Sequence, residues 1–440
     1  MPPLSPSLLP SLADRVPVPG YDRARLATGV VHIGVGGFHR AHQAMFHDRL
    51  LAAGHGDGWA LHGAGVLGAD GPMIDDLAAQ DGLYTLVEKH ADGTAEPRVI
   101  GSIATVEHAA ADPEALVARM ASEATRIVSL TVTEGGYTPE NHTFALLADA
   151  LGRRRAAGLE PFTVMSCDNL EDNGARAREA LLAHVDDEGL AEWIAERGAF
   201  PQSMVDRITP QTTDTDRAEL AERSGIEDRR PVVCEPFVQW VLEDRFAAGR
   251  PAYEEVGVQV VDDVRPYELV KLRLLNGSHQ ALGHFGVLLG HEHVHEAAAD
   301  PDLVAFLRGY MDEAATTLDP VPGLDVDEYR ATLLERFANP EIRDTTARLA
   351  EHTADRIPRF VLPVAHARLA AGEDVRHCAA IVAAWAQHPG EGDPPGGDDF
   401  LADEELFGDL HEREAFTEPY RDAARRLRED GPRATLAALA

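Results

Sequence analysis

The feature that most restricts the fold is an alternation of short β-rich runs with helical patterns in the first part of the chain. Val30–Ile33 and Phe162–Cys167 are apolar runs rich in β-branched residues, and Asn141–Ala157 is one of the helical stretches between such runs. Strands that alternate with helices favour a parallel, doubly wound sheet. The sequence therefore predicts an α/β Rossmann-like domain over residues 1–262, followed by an all-α domain over residues 263–440.

The second part of the chain has helical periodicity almost to its end, with no clear strand after Gly257–Asp263. A length of 440 residues also exceeds what one ordinary hydrophobic core accommodates. The predicted helices of the second domain include Asp302–Thr317, Val326–Phe337, Glu341–Ala354, Ile357–Ala371 and Val375–Gln387.

Composition excludes several classes of partner. The formal net charge of −34 opposes binding to nucleic-acid phosphates and to anionic membranes. No run of eighteen apolar residues is present, and the proline-broken N-terminus lacks the basic start of a secretory signal. The three cysteines, Cys167, Cys234 and Cys378, are odd in number and far apart, which argues against a disulfide framework and favours a reducing cytoplasm.

A glycine-containing segment, GVGGFHRAH, follows the first predicted strand. Gly34 and Gly36 would let the backbone turn tightly and approach a pyrophosphate at the start of a helix. The third glycine of the usual dinucleotide fingerprint is replaced by His39, so the motif is incomplete. Asp70, after the second predicted strand, is the nearest acid that could bind the adenosine ribose, which favours NAD over NADP while leaving NADP open.

The stretch YELVKLRLLNGSHQALGHFG, Tyr267 to Gly286, has the apolar content of a buried helix but contains four polar groups. If the segment is a regular α-helix, Glu268, Lys271, Asn276 and His279 lie on one arc of about 140°. Two interpretations remain open from these residues: a structural Lys–Glu pair, or a cleft in which a desolvated lysine acts as a general base.

Lysine usage supports the second interpretation. Lys89 and Lys271 are the two lysines of the chain, so 38 of its 40 basic residues are arginine. Arginine stays protonated at any accessible pH, whereas a buried lysine can lose its proton and act as a base. A lysine inside an apolar helix of such a chain indicates a chemical requirement.

Two other patterns suggest different chemistry. Tyr267 and Lys271 have the Y-x-x-x-K spacing of short-chain dehydrogenases, but they come after the last predicted strand, where that family does not place its pair. His291, His293 and His295 alternate in HEHVHE and are the best candidate ligands for a metal. Three ligands with suitable geometry seldom arise by chance, so we expect no metal site.

Several motifs together resemble a known family. KLRLLNGSHQAL resembles the K-x4-N-x2-H signature of the polyol-specific long-chain dehydrogenases, and IGVGGFHRAHQA resembles their N-terminal signature. AQDGLYTL, LTVTEGGY, FTVMSCDN, FPQSMVDRITP, CEPFVQWVLEDRF and NPEIRDTTARL extend the likeness from about Tyr21 to Pro363. Within this family the chain is most similar to the mannitol 2-dehydrogenases, with the arabinitol dehydrogenases beside them.

The resemblance implies a metal-independent, NAD-dependent oxidation of a polyol, with D-mannitol to D-fructose as the expected pair, and the reverse reduction of the ketose. Lys271 would be the general base, with Asn276, His279 and Asn169 around the reacting oxygen and Glu268 as a proton relay. The substrate-binding residues would be Asp206, Arg348 and Arg356. The cofactor-binding residues would be Gly34, Gly36, Gly37, Phe38, Asp70 and Glu134.

Other functions stay open. A hexuronate reductase acting on mannonate, fructuronate or tagaturonate could use Arg348 and Arg356 to bind a carboxylate, and a D-arabinitol dehydrogenase would share the same motifs. A silent dinucleotide-binding regulator is disfavoured by the presence of Lys271, Asn276 and His279, and a zinc alcohol dehydrogenase by the scattered cysteines. We expect a cytoplasmic enzyme that is a monomer or a weak homo-oligomer.

Overall fold

The computed structural model describes residues 2–138, 141–388 and 400–439. The chain divides into two compact units, Met1–Arg265 and Pro266–Ala440. Each unit has its own secondary-structure class, since the strands occur in the first and the second is helical among the described residues. The predicted fold class, a Rossmann-like α/β domain followed by an all-α domain, is confirmed.

The centre of the first unit is a parallel five-stranded sheet. The strands of this unit are β1 (Thr28–Ile33), β2 (Ala60–Gly65), β3 (Tyr84–Lys89), β4 (Ala95–Ile100), β5 (Ile103–His108), β6 (Ile127–Leu130), β7 (Thr163–Ser166), β8 (Ser203–Asp206), β9 (Val232–Cys234), β10 (Gln239–Glu243) and β11 (Gln259–Val261). The order in the central sheet is β5-β2-β1-β6-β7, and every neighbouring pair in it is parallel. The chain moves outward on one side of β1 and resumes at β6 on the other side, so the topological switch point lies between these two strands.

Alternation along β1 explains why the sheet is covered on both faces. Val30 packs in a cluster with Met45 and Leu50, whereas Val31 belongs to a second cluster with Phe144 and Leu147. The helices of this unit are α1 (Leu9–Leu12), α2 (Gly37–Ala41), α3 (Gln43–Ala52), α4 (Gly71–Ala79), α5 (Pro113–Ala121), α6 (Thr143–Ala156), α7 (Asn173–Leu182), α8 (Glu188–Arg197) and α9 (Asp214–Ser224). Successive side chains of a strand point to opposite faces, so helices above and below complete two apolar layers.

Two smaller mixed sheets accompany the central one and were not predicted. Their orders are β11-β10-β8 and β4-β3-β9. In the first of these, β10 is antiparallel to β8 and parallel to β11. Asp206 pairs with Gln239 at the end of β8, so this small sheet determines the position of one predicted substrate residue.

The second unit is built from α-helices around a π-helical turn, Lys271–Asn276. Its α-helices are α10 (Arg265–Val270), α11 (Gly277–Leu289), α12 (Val294–Ala297), α13 (Pro301–Ala315), α14 (Val326–Phe337), α15 (Thr346–Leu349), α16 (Thr353–Phe360), α17 (Leu362–Ala371), α18 (Arg376–Gln387), α19 (Glu404–Phe407), α20 (Glu414–Glu429) and α21 (Pro432–Leu439). The alanine-rich α18 is buried along nearly its whole length, and Trp385 packs against Phe400 and Phe407.

Two predicted helices of this unit are wrong in extent. Glu341–Ala354 is not one helix, because the Asn339 side chain accepts the Glu341 amide and the Thr345 side chain caps a new, short helix. Such local side-chain bonds compete with helix formation. Ile357–Ala371 is interrupted between α16 and α17, where Pro363 lacks the amide hydrogen that would continue the ladder.

Candidate active site

The glycine turn after β1 has the geometry that a dinucleotide requires. Gly34 has a φ of +98°, and a Cβ there would lie 2.1 Å from the carbonyl oxygen of Thr131. The Gly34 carbonyl accepts hydrogen bonds from the Gly36 amide and from the Thr131 hydroxyl, each at 2.7 Å. A Cβ on Gly36 would meet nothing closer than 4.0 Å, so the backbone there is open to a bound group. These residues fit a pyrophosphate that approaches the start of α2.

His39 explains how the turn works without the third glycine. Its ring stacks on His32 of β1, with centroids 3.3 Å apart and planes 10° from parallel. His32 Nε2 lies 3.1 Å from the Gly34 carbonyl, which can only accept, so we assign the proton to Nε2. Burial lowers the pKa of His32 to about 3 and holds that of His39 well below its usual range. In the usual fingerprint the third glycine lets the helix pack closely on the strand. Here the stacked, neutral rings of His39 and His32 form that helix–strand contact.

The switch point beside this turn contains strained backbone. Thr133, just after β6, has a φ of +60° and a ψ of 178°, values that a non-glycine residue rarely adopts. The Asp168 carboxylate holds this conformation by accepting the Thr133 amide and the Tyr137 hydroxyl, both at 2.8 Å. Sequence reasoning missed Thr133 and Asp168, although both lie inside the quoted motifs LTVTEGGY and FTVMSCDN. The side chain of Glu134, a predicted cofactor residue, lies outside the described part of the chain.

The remaining predicted cofactor residues lie near the same edge of the sheet. Asp70 follows β2 in a short turn, where its carboxylate accepts the Leu67 amide at 2.9 Å. Phe38 is partly buried and stacks on His42, with ring centroids 5.2 Å apart. A Cβ on Gly37 would make only ordinary contacts, the nearest at 3.8 Å to Val232, so this position does not require glycine by its packing.

The predicted polar helix of the second unit is not a regular α-helix. It runs as α10, then the π turn, then α11, and the π turn begins at Lys271 and ends at Asn276. The arc calculated with 100° per residue is therefore wrong across this segment. A π turn has i→i+5 hydrogen bonds, so residues five apart lie closer in angle than they do in an α-helix. Such single turns occur frequently at functional sites.

The predicted catalytic side chains of this helix differ in exposure. Lys271 and Glu268 are buried, with 8% and 4% of their surfaces exposed, while Asn276 and His279 are partly exposed. The Asn276 Oδ1 atom is buried and accepts no hydrogen bond from any described residue. An unsatisfied buried amide oxygen costs free energy unless another group occupies the position beside it. The His279 ring packs against Phe337 at a centroid distance of 5.0 Å.

Helix α11 approaches α15 closely because glycines face it. A Cβ on Gly283 would lie 3.0 Å from the Ala350 amide nitrogen, and one on Gly286 would lie 2.6 Å from Thr346. His279 is one turn before Gly283, so α15 is packed on the face of α11 that contains His279.

The two predicted substrate arginines lie on the neighbouring helices α15 and α16. Arg348 of α15 binds both oxygens of Asp344, and Arg356 of α16 donates to the backbone carbonyls of Arg348 and Leu349 at 3.3 and 3.2 Å. Hydrogen bonding to Asp344 raises the pKa of Arg348. The charge of Arg348 is therefore largely compensated by a carboxylate of the same unit.

Asn169 and Asp206 belong to the first unit. Asn169 is exposed in the bend after β7, whereas Asp206 is buried at the end of β8, with 3% of its surface exposed. The other lysine, Lys89, is also in this unit and forms ion pairs with Asp216 at 2.7 Å and Glu219 at 3.2 Å. Lys89 thus has a structural role.

Among residues 2–138, 141–388 and 400–439, no three His, Cys, Asp or Glu side chains are grouped so as to hold a metal ion. His291 is paired with Asp300 at 3.3 Å, and His293 lies 3.9 Å from Glu296. Within the same described ranges, no helix is both long and apolar enough to cross a membrane.

Family models match both parts of the chain. The mannitol dehydrogenase Rossmann domain matches residues 28–255, and the mannitol dehydrogenase C-terminal domain matches residues 263–418. The chain belongs to the mannitol dehydrogenase family. The Phaeosphaeria nodorum mannitol 2-dehydrogenase, a member of this family, is 42% identical over 98% of this chain and 84% of its own length.

Solved structures agree with this family assignment. The Pseudomonas fluorescens mannitol 2-dehydrogenase, solved as a ternary complex with NAD and D-mannitol, matches with a TM-score of 0.90 and 41% identity, covering 100% of this chain and 99% of its own. A D-sorbitol dehydrogenase solved in substrate-free form matches with a TM-score of 0.85 and 34% identity, covering 98% and 100%. The family predicted from the sequence motifs is therefore confirmed.

Proposed function

We propose that the protein is an NAD-dependent mannitol 2-dehydrogenase that interconverts D-mannitol and D-fructose. The observation that carries the proposal is the π turn bounded by a buried lysine and an asparagine whose side-chain oxygen has no described partner. The similarity to an enzyme solved with NAD and D-mannitol supports the choice of cofactor and substrate.

Lys271 is the general base in this proposal. Burial favours the neutral form of an amine, which can then take the proton from the hydroxyl group that is oxidised. Bound NAD would supply the acceptor for the hydride of the same carbon. Glu268, three residues earlier on the helix and buried, would pass the proton from Lys271 toward water.

Amide and imidazole groups would hold the reacting oxygen while it becomes a carbonyl. We assign this role to Asn276, Asn169 and His279, because positioned donors stabilise charge on an oxygen without reorganising. In this role Asn276 would donate through its Nδ2 group, while its buried Oδ1 atom, which can only accept, would be available to another hydroxyl of the substrate.

The first unit would hold the cofactor. Gly34 shapes the turn, Gly36 leaves room for the pyrophosphate, and Asp70 lies after the second strand where an acid can bind the ribose hydroxyls. Those hydroxyls favour NAD, since a 2′-phosphate would be repelled by the carboxylate. The proposed cofactor contacts also include Gly37, Phe38 and Glu134.

Arg348 favours a neutral polyol over a hexuronate. Its guanidinium is already bound to both oxygens of Asp344, so it offers a substrate carboxylate little uncompensated charge. Arg356, which donates to two backbone carbonyls beside Arg348, would also bind sugar hydroxyls. Asp206 would accept a hydrogen bond from a hydroxyl further along the polyol.

We further propose a monomer or weak homo-oligomer in a reducing cytoplasm. In the described ranges, Leu67, 54% exposed, is the one large apolar side chain classed as exposed, so little apolar surface is available for a stable partner. Each cysteine is buried and free of disulfides, which suits a reducing compartment.

The test is a steady-state screen with mannitol, arabinitol, sorbitol and mannonate, each offered with NAD and NADP, combined with lysine variants. Lys271→Ala should bind NADH normally but lose about 10²- to 10⁴-fold in kcat, the usual contribution of a positioned base. Lys89→Ala is the matched control, because it removes the other lysine and should lower the unfolding temperature but not the kcat of the folded enzyme.

Near-full turnover of Lys271→Ala at neutral pH would refute the base assignment. Turnover of mannonate but not mannitol would move the protein to the hexuronate reductases. Loss of activity with a chelator and its recovery with zinc would overturn the metal-independent mechanism.

A further inference from the structure

The π turn has a specific hydrogen-bond pattern at its end. The Gly277 amide donates to the carbonyls of Leu272 and Leu274, five and three residues earlier. In an α-helix this amide would donate to Arg273, four residues earlier. The π turn thus turns the Gly277 amide away from the Arg273 carbonyl, which can accept a hydrogen bond from a donor outside the helix.

Tyr310 of α13 supplies that donor. Its hydroxyl donates to the Arg273 carbonyl at 2.9 Å, while the Phe360 carbonyl is a longer second contact at 3.5 Å, and the ring is fully buried. The Arg273 guanidinium also donates to the Thr317 carbonyl, just after α13, at 2.5 Å. One residue of the π turn is thus attached to the α13 region through both its main chain and its side chain.

Gly277 makes this contact possible. A Cβ on Gly277 would lie 1.8 Å from the Tyr310 hydroxyl oxygen and 2.7 Å from the ring carbon that bears it. Any larger residue at this position would push the tyrosine off the Arg273 carbonyl. The glycine is therefore required by the close approach of the tyrosine, since the backbone at Gly277 has ordinary helical angles.

The consequence concerns the two residues at the ends of the turn. Residues five apart in an α-helix are separated by about 140° around the axis. In a π turn, with its i→i+5 bonds, the separation falls to about 60°. Lys271 and Asn276 are five apart, so the π turn is what places the amine and the amide on the same side of the helix.

We propose that Tyr310 is a positioning residue which, together with Gly277, holds the π turn and so keeps Lys271 and Asn276 aligned on one reacting oxygen. Tyr310 acts through the Arg273 carbonyl and does not touch the substrate. The inference rests on the proposed function, since it requires that Lys271 and Asn276 act on the same atom.

The chain offers a matched control for removing a tyrosine hydroxyl. Tyr267 is also buried in this unit, and its hydroxyl donates to the Pro322 backbone carbonyl at 2.8 Å. Tyr267→Phe therefore deletes the same kind of hydrogen bond outside the π turn. It also removes the tyrosine of the coincidental Y-x-x-x-K pattern, which has no role in the proposed mechanism.

The experiment compares kcat, KM, pH profile and unfolding temperature for Tyr310→Phe and Tyr267→Phe in the full-length protein. Both variants should lower the unfolding temperature by similar amounts. Tyr310→Phe should also lower kcat for mannitol at least tenfold and shift the acid limb of its pH profile, with the Kd for NADH unchanged. Tyr267→Phe should keep kcat within twofold of the parent.

Gly277→Ala should disturb the contact between Tyr310 and the Arg273 carbonyl from the other side. It should lower kcat in the same way as Tyr310→Phe, and the double variant should lose less than the product of the two single effects, because both changes break one contact. If Tyr310→Phe keeps the parent kcat and pH profile and loses only unfolding temperature, or if the two variants act independently, the positioning role is wrong.

Hydrogen–deuterium exchange separates this proposal from the proposed function. Peptides covering residues 271–277 should exchange faster in Tyr310→Phe than in Tyr267→Phe, whatever the substrate is. If the parent protein oxidises no polyol, the proposed function fails, while the exchange result still tests whether Tyr310 holds the turn. Equal exchange in the two variants would refute that structural role.

Discussion

Gly34 and Gly36 stand two residues apart in the same turn but are needed for different physical reasons. Gly34 combines a φ of +98° with a carbonyl 2.1 Å from any Cβ, so both conformation and space demand glycine. Gly36 has a φ of −77° and an open surface, so alanine could fold there. Glycine at position 34 is therefore needed for stability. Glycine at position 36 keeps the backbone open to a bound group.

Alanine substitutions should separate these two roles. Gly34→Ala should destabilise the protein by about 2–4 kcal/mol through strain and overlap with Thr131. Gly36→Ala should leave the unfolding temperature within a degree or two but weaken NADH binding about tenfold, because its methyl group would occupy the space of the pyrophosphate. Thermal unfolding and fluorescence titration with NADH measure the two effects. Unchanged NADH affinity in a folded Gly36→Ala protein would contradict this assignment.

Side-chain identity was easier to predict from the sequence than side-chain environment. Lys271 and Asn276 could be proposed as site residues because the types and spacing of reactive residues are visible in the sequence. The strained backbone of Thr133 and its bonds to Asp168 could not be predicted in this way, since a φ of +60° in a threonine is imposed by a partner 35 residues away. The pairing of Arg348 with Asp344 was also missed, although the i, i+4 spacing contains the signal.

At the scale of elements, long periodic segments were predicted well and irregular ones were not. The predicted runs Val30–Ile33 and Phe162–Cys167 overlap β1 and β7, and helix α14 was predicted with the bounds that the structure has. Strand β5 of the central sheet was not predicted. The π turn could not be read in the same way, because Leu272, Leu274 and Leu275 suit any helical period. Its form depends on Tyr310, which is far away in sequence.

The strand–helix unit at the start of the Rossmann domain contains several buried histidines. Burial lowers the pKa of His32 on β1 to about 3 and that of His47 on α3 to about 4, and it holds that of His39 well below its usual range. In the unfolded chain each imidazole has a pKa near 6.5. The folded state therefore binds fewer protons, so stability is full above about pH 6.5 and is lost as the pH falls toward the folded pKa values.

This linkage predicts acid sensitivity of the unit. As the pH falls from 6.5 to 5, each buried histidine should lower the free energy of unfolding by about 2 kcal/mol. The buried Asp48 carboxyl, whose pKa burial raises, acts in the opposite direction, so variants are more informative than the absolute slope. His47→Gln should show a smaller fall in unfolding temperature between pH 7.5 and 5 than the parent. The exposed His55→Gln is the control, and equal slopes for His47→Gln and the parent would contradict the linkage.

At the scale of the whole molecule, the main electrostatic feature is an excess of acidic over basic residues. The chain has 74 acidic and 40 basic residues, and many of its arginines are already engaged in surface ion pairs such as Arg153 with Asp149 and Arg425 with Asp422. Exposed pairs of this kind contribute about 0–1 kcal/mol each and weaken with salt. The net charge is −34, so the excess acidic side chains repel one another over distances longer than that within an ion pair.

Salt should therefore stabilise the protein, because screening removes more repulsion than attraction. The Debye length falls from about 30 Å at 0.01 M to about 10 Å at 0.1 M, so the long-range repulsion among acidic side chains is screened first, while contacts of 3 Å persist. We expect the unfolding temperature to rise by several degrees between about 0.01 M and 0.5 M sodium chloride at pH 7.5. Equal osmolality of a neutral sugar is the control for exclusion effects. An unfolding temperature that falls with sodium chloride would mean that the arginine ion pairs outweigh the net charge, and the acidic surface would then not be the main electrostatic cost of folding.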